Sequence, residues 1–127
     1  MSIESWKAEF YPIGAKDVPK QHALGHSIIK WHGLRKENLR KHGCRILWRS
    51  EVVDDAGCGL EIDANSCALC TYYWSHSGCG SCPLAIARGG VACDKERHDE
   101  QFSPYKHWLR TGNPMPMLGW LHLALDV

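Results

Sequence analysis

The stretch CALCTYYWSHSGCGSCP, residues 67–83, carries two Cys-x-x-Cys pairs, Cys67/Cys70 and Cys79/Cys82, with eight residues between them; Cys93 follows after ten more. A two-residue spacer lets both thiolates of a pair reach one tetrahedral ion at a sulfur–metal distance of about 2.3 Å. Gly78 and Gly80 permit the tight turns this needs. Each pair supplies half of a site, so the C-terminal half is expected to fold around one cysteine-ligated ion, zinc by preference. Cys67, Cys70, Cys79 and Cys82 are the default ligands; Cys93 can replace Cys79, and His76 is a further donor in the intervening loop.

Three other uses of cysteine compete. Disulfides are disfavoured, because the cysteine count is odd at 7, Met1–Phe10 lacks the apolar run of an export signal, and 127 residues can bury a core without them. A redox Cys-x-x-Cys pair should follow a strand and open a long helix in a βαβ unit, a setting that neither pair has. An iron–sulfur cluster also suits four thiolates and is the less favoured occupant. Catalysis at the ion is not indicated: a catalytic zinc keeps a position for water, and the zinc deaminases place a His-x-Glu element upstream of their cysteine pair that this chain lacks. Nor does the chain carry a phosphate-cradling glycine loop, a serine elbow or a paired-carboxylate motif, so it is not read as an enzyme.

Outward from the cysteines, local punctuation predicts short helices. Pro83 fits the first position of one that Gly89 and Gly90 end; Ser103 and Pro104 begin another, Pro104–Arg110, closed by Gly112, Asn113 and Pro114; an apolar helix Met115–Leu125 follows. Upstream, Cys44–Val53 alternates with period two, with Cys44, Ile46, Trp48, Ser50 and Val52 on one face, which predicts a single strand. A turn over Asp54–Gly59 then returns Leu60–Ile62 as the second arm of a hairpin. Leu24, Ile28 and Trp31 predict a helix over Lys20–Trp31, and Leu34–His42 a second, basic helix ended by Gly43, with Gly33 at the break. Residues 1–19, interrupted by Pro12, Gly14 and Pro19, are expected to be an irregular arm held down by Trp6, Phe10 and Tyr11.

The sum is a small α+β chain read as one domain over 1–127. Basic helices and a β-hairpin occupy 1–63, and a zinc-knuckle, short-helix half occupies 64–127. A hydrophobic fraction of 44% and a charged fraction of 23% are ordinary for a globular protein. The most apolar stretch, Met115–Leu125, is far short of the roughly 20 residues of a membrane span and is interrupted by Pro116 and His122. A soluble, cytoplasmic protein with no membrane partner is therefore expected.

Net charge is only +1, but it is unevenly distributed. From Lys20 to Arg49 eight bases face Glu37 alone; from Glu51 to Asp63 come five acids and no base. Lys30, Arg35, Lys36, Arg40, Lys41, Arg45 and Arg49 are thus the candidate partner-contacting residues, suited to an acidic protein or to phosphate. Nucleic acid is the alternative partner, with Trp31, His32 and Trp48 interleaved among the bases, although the Cys-Cys-His-His spacing of a base-reading finger is missing. His22 and His26 share a helix face at i, i+4, a metal-capable spacing without a third donor; Cys44 and Cys58 are read as a buried apolar side chain and a turn residue. Most of the 6 tryptophans are expected in the core.

The string Cys-Ala-Leu-Cys-Thr-Tyr-Tyr, Cys-Gly-Ser-Cys-Pro-Leu, Cys93 and then Pro104, Tyr105 and Trp108 resembles a pattern of small cysteine-rich bacteriophage and prophage proteins, over about a third of the chain. His26–Leu34 and Glu37–Gly43 resemble phage sequences as well. The resemblance implies an accessory protein of the bacterial host cytosol that binds a host macromolecular complex stoichiometrically, as an inhibitor of a defence system such as CRISPR–Cas.

Overall fold

The N-terminal segment is a helix rather than an irregular arm. Ser2 and Ser5 exchange hydrogen bonds in a reciprocal capping box, Ser5 N–H donating to Ser2 Oγ at 3.3 Å and Ser2 N–H to Ser5 Oγ at 3.0 Å, and this starts α1, Ile3–Phe10. The punctuation at Pro12, Gly14 and Pro19 lies beyond it. Ile3, Trp6 and Phe10 fall on one face and are buried, Trp6 completely. Burying an aromatic of that size contributes about 2–3 kcal/mol.

The protein is described by a computed structural model covering residues 2–47, 50–76 and 81–125. After α1, a single 3₁₀ turn at Ala15–Asp17 leads to α2, Lys20–Gly33, the longest element and the axis of the fold. The remaining elements are α3 (Lys36–Lys41), β1 (Arg45–Leu47), β2 (Glu51–Val53), β3 (Gly59–Glu61), a 3₁₀ turn at Ala64–Ser66, α4 (Ala68–His76), α5 (Pro83–Ala87), α6 (Pro104–Thr111) and α7 (Met115–Ala124). The class is α+β, as expected. None of the described helices is long and apolar enough to cross a membrane.

Residues expected to form one strand, Cys44–Val53, instead form two. β1 pairs antiparallel with β2, Arg45 opposite Val53 and Ile46 opposite Val52; β2 pairs with β3, Val52 opposite Leu60, giving a three-stranded meander. The physical reason is parity. Each β1–β2 partner pair joins residues of equal parity, and partners across an antiparallel ladder point to the same face, so the period-two pattern runs through the reversal unbroken. The reversal itself is marked by Ser50, at φ 63°, whose N–H donates to Leu47 O at 3.1 Å. The hairpin expected over Leu60–Ile62 is present as β2–β3, and Asp54 ties its turn down: Oδ1 accepts from Ala56 N–H and Cys58 N–H, and Oδ2 reaches back to Ile3 N–H at 2.9 Å.

The C-terminal elements follow their local signals. Pro83 opens α5, and Gly89 and Gly90 adopt positive φ after it; Ser103 Oγ caps α6 by accepting from Lys106 N–H, and Gly112, in the left-handed region at φ 73°, ends it. The core gathers around α2, which packs on α1, α4 and α7. Trp31 meets Trp108 edge to face at a centroid separation of 5.2 Å, and both rings are buried. Trp48 lies outside the described residues.

Candidate metal centre

Cys67 links the 3₁₀ turn to the head of α4, and Cys70 lies in the first turn of that helix. The three-residue offset folds the Cys70 backbone over its neighbour, so that Cys70 N–H donates to Cys67 Sγ at 3.4 Å. Ser27, on α2, brings its hydroxyl to 3.8 Å from the same sulfur. Cys82 is the residue before Pro83 at the head of α5. Cys93 follows the left-handed Gly89 and Gly90 and is anchored where its carbonyl accepts Tyr105 N–H at 3.2 Å, the first turn of α6. Tyr105 also donates its hydroxyl to Ile62 O at 2.6 Å, joining the cysteine loop to the sheet. Cys67, Cys82 and Cys93 all pack on the hydrophobic core.

These sulfurs act on one another. The Cys67 thiol is held well below the usual range, chiefly because Cys70 hydrogen-bonds to it, and Cys70 is pushed up by the same contact and by burial. Burial and the Cys67 charge push the Cys93 thiol up to about 12, and Cys82 and Cys93 add to the repulsion that Cys70 feels. Charge on Cys67 thus disfavours charge on Cys70 and on Cys93. A divalent cation reverses this logic, since a coordinating thiol loses its proton outright.

Of the five expected ligands, Cys67 and Cys70 are in direct contact, and Cys82 and Cys93 lie within their electrostatic reach. Cys79 falls outside the described residues, as does the His76 side chain. Among the described residues alone, no three His, Cys, Asp or Glu side chains are drawn into a closed metal-binding group. The donor chemistry nonetheless fits a soft-ligand ion: thiolates presented from two helix heads and a tight loop, with apolar packing behind them. Cys67, Cys70 and Cys82 would hold such an ion, with Cys79 or Cys93 as the fourth ligand.

Two side chains of this site, Ser27 and Lys30, escaped sequence reasoning. Ala23, Ser27 and Lys30 form a buried stripe at i, i+4 and i+7 on α2, and this helical spacing was the available signal. Lys30, expected on the basic surface, is only 1% exposed, with its ammonium donating to Ser66 O at 3.1 Å and lying 5.5 Å from the centre of the Trp31 ring. Helix periodicity, which turns position 30 inward beside Trp31, overrides its place in a basic run.

The remaining basic residues separate. Arg35, Lys36, Arg40 and Arg45 line one groove of about 610 Å³ between α3, β1 and the α6–α7 connection, with Leu34, Leu39, Cys44 and Ile46 among its apolar walls and Met115 at its edge. Arg35 pairs with Glu37 at 2.8 Å and Arg45 with Asp55 at 3.6 Å; among the described residues Lys36 and Arg40 have no ion-pair partner. Lys41 is turned instead to Glu9, at 3.0 Å, and Arg49 lies outside the described residues. His26 is not paired with His22: its Nε2 bonds Ile13 O at 2.8 Å, and its ring stands edge-on to Tyr11. Cys44 is buried and Cys58 is exposed in its turn, as read from the sequence.

No family model, no curated protein and no solved structure matches this chain.

Proposed function

We propose that this protein is a zinc-organised accessory protein that works by binding a macromolecular complex, and that the groove between α3 and the α6–α7 connection receives an acidic segment of a protein partner. The observation that carries this reading is the groove itself: four cations on its walls, two of them without an ion-pair partner among the described residues, over an aliphatic floor. Opposite charge gives orientation and on-rate, and an apolar anchor gives residence. Zinc holds the C-terminal half, and with it the α6–α7 side of the groove, in shape. The resemblance to small phage proteins supports a bacterial host complex as the target, a defence complex such as CRISPR–Cas among the candidates, and a cytoplasmic place of action.

Nucleic acid is the second reading, supported by the same cations. It is weaker, because single-strand binding draws on aromatic platforms, whereas the large apolar side chains exposed among the described residues are Ile, Leu and Met.

Capture from bacterial lysate on immobilised protein tests the first reading, run with wild type and with a Lys36→Glu/Arg40→Glu variant and competed with a poly-glutamate peptide. A partner held by wild type, lost with the variant and displaced by the peptide is expected. A partner indifferent to both manipulations overturns the assignment of the groove. Fluorescence anisotropy with labelled single- and double-stranded DNA at low salt tests the second reading: affinity falling steeply with salt supports it, and no binding removes it.

A further inference from the structure

A buried ammonium has three protons to satisfy and a full charge to offset. Lys30 receives one hydrogen bond acceptor, the Ser66 carbonyl at 3.1 Å, and the face of Trp31. Among the described residues no carboxylate lies within ion-pair distance of it. Yet the side chain is 1% exposed, whereas the other described cations of the same run lie at the protein surface. Placing an unpaired cation in the interior is costly, so the neighbouring groups must return charge of the opposite sign.

The candidate anions are the cysteines. Ser66, which accepts the Lys30 hydrogen bond, directly precedes Cys67, and Ser27, one turn back along the same helix stripe, touches the Cys67 sulfur at 3.8 Å.

We infer that Lys30 is the built-in counter-charge of the cysteine site, a positioning residue that offsets part of the negative charge brought into the interior when thiolates gather around a divalent ion. Four thiolates on one Zn²⁺ leave a net charge of minus two, and one ammonium halves it. The inference rests on the metal reading above. It also explains why a lysine occupies a helix stripe otherwise made of Ala23 and Ser27.

The test compares full-length wild type with Lys30→Met and Lys30→Gln. Zn²⁺ affinity is measured by competition with a chromophoric chelator, Co²⁺ uptake by its thiolate charge-transfer absorption, and thermal midpoints with and without metal. Both variants should lose about 10–100-fold in Zn²⁺ affinity, the usual effect of removing a partner just outside the ligand shell. Lys30→Met should lower the thermal midpoint less in the metal-free protein than in the metal-loaded one, because the charge that Lys30 offsets is largest when thiolates gather around the ion. A purely structural lysine would instead lower both midpoints together. Variants that match wild-type affinity within twofold overturn the inference and leave the metal reading standing. Wild type that takes up neither Zn²⁺ nor Co²⁺ overturns both. Should Lys30→Met fail to fold, Lys30→Gln carries the comparison, and failure of both to fold without metal counts against the inference.

Discussion

Arg88 and Glu100 form a two-pronged ion pair across the base of the loop that carries Cys93: Nη1 and Nη2 each donate to one carboxylate oxygen at 2.9 Å, and the arginine is fully buried. Arg88 also donates from Nη2 to Lys95 O at 2.6 Å and from Nε to Val91 O at 3.2 Å, and its guanidinium lies over the Trp120 ring. One side chain therefore fixes the path of residues 88–100 from the inside. The loop reaches the cysteine site already shaped, without relying on metal for every contact.

Glu100→Gln should destabilise the protein by about 3–5 kcal/mol, because it leaves the Arg88 charge buried and unpaired. The pair also predicts an acid limb. Arg88 is the main cause holding the Glu100 carboxyl below its ordinary value. Its contribution to stability is therefore complete above the ordinary glutamate range and fades as pH drops through the lowered value. Denaturant unfolding followed from neutral pH to about pH 3 should show this loss in wild type and a flatter profile in Glu100→Gln. Equal midpoints for the two proteins at neutral pH would contradict the assignment.

Serine in place of Cys70 or Cys82 should remove most of the bound metal and loosen the C-terminal half, since for a metal-organised segment binding energy is folding energy. Cys58→Ser, in the exposed turn, should leave metal content as it was. Elemental analysis of protein purified without chelator reads the stoichiometry, and melting curves read the loosening. A Cys70→Ser protein with full metal content is not compatible with Cys70 as a ligand.

Charge reversal should separate the two sides of the basic region. Lys36→Glu with Arg40→Glu changes the groove wall and should weaken partner binding at least tenfold, with little change in melting. Lys41→Glu meets Glu9 rather than the groove and should change melting only slightly, as for other exposed pairs, with partner affinity retained. Titration calorimetry against the captured partner gives both numbers. Identical affinities for the two variants would remove the groove from consideration.

Two glycines of α2 should respond oppositely to alanine. A β-carbon on Gly33 would lie 2.5 Å from Phe10 Cγ, on a side chain that is itself buried, so Gly33→Ala should cost about 1–3 kcal/mol by overpacking. Trp6 Nε1 donates to Gly33 O at 2.8 Å, so the clash would also press on the α1–α2 contact. Gly25 faces open space in the middle of the helix, and Gly25→Ala should stabilise by about 0.5–1 kcal/mol. Thermal melts of the two single variants decide the matter, and a fall in both would contradict the open surroundings of Gly25.

What could be read from the chain follows the range of the forces involved. The starts and ends of α5 and α6 were legible because proline at a first turn and glycine at a left-handed cap act within a few bonds of where they stand. The spacing of Cys67 and Cys70 likewise dictated their contact, which a single helical turn accomplishes. The first helix was missed because two serines, not the more familiar acidic pairing, close its capping box, and the β1–β2 reversal because equal parity hides a turn inside an alternating pattern.

The α+β class and the contact between Cys67 and Cys70 were thus determined by the sequence alone, through local geometry. Tertiary structure alone decided which cations meet solvent: Lys30 and Arg40 look alike in the basic run, yet one is sealed beside the Ser66 carbonyl, thirty-six positions away along the chain, and the other lines a groove with Thr111 and Met115. Burial is a property of what packs against a side chain. Those neighbours come from elements that no nearby residue specifies.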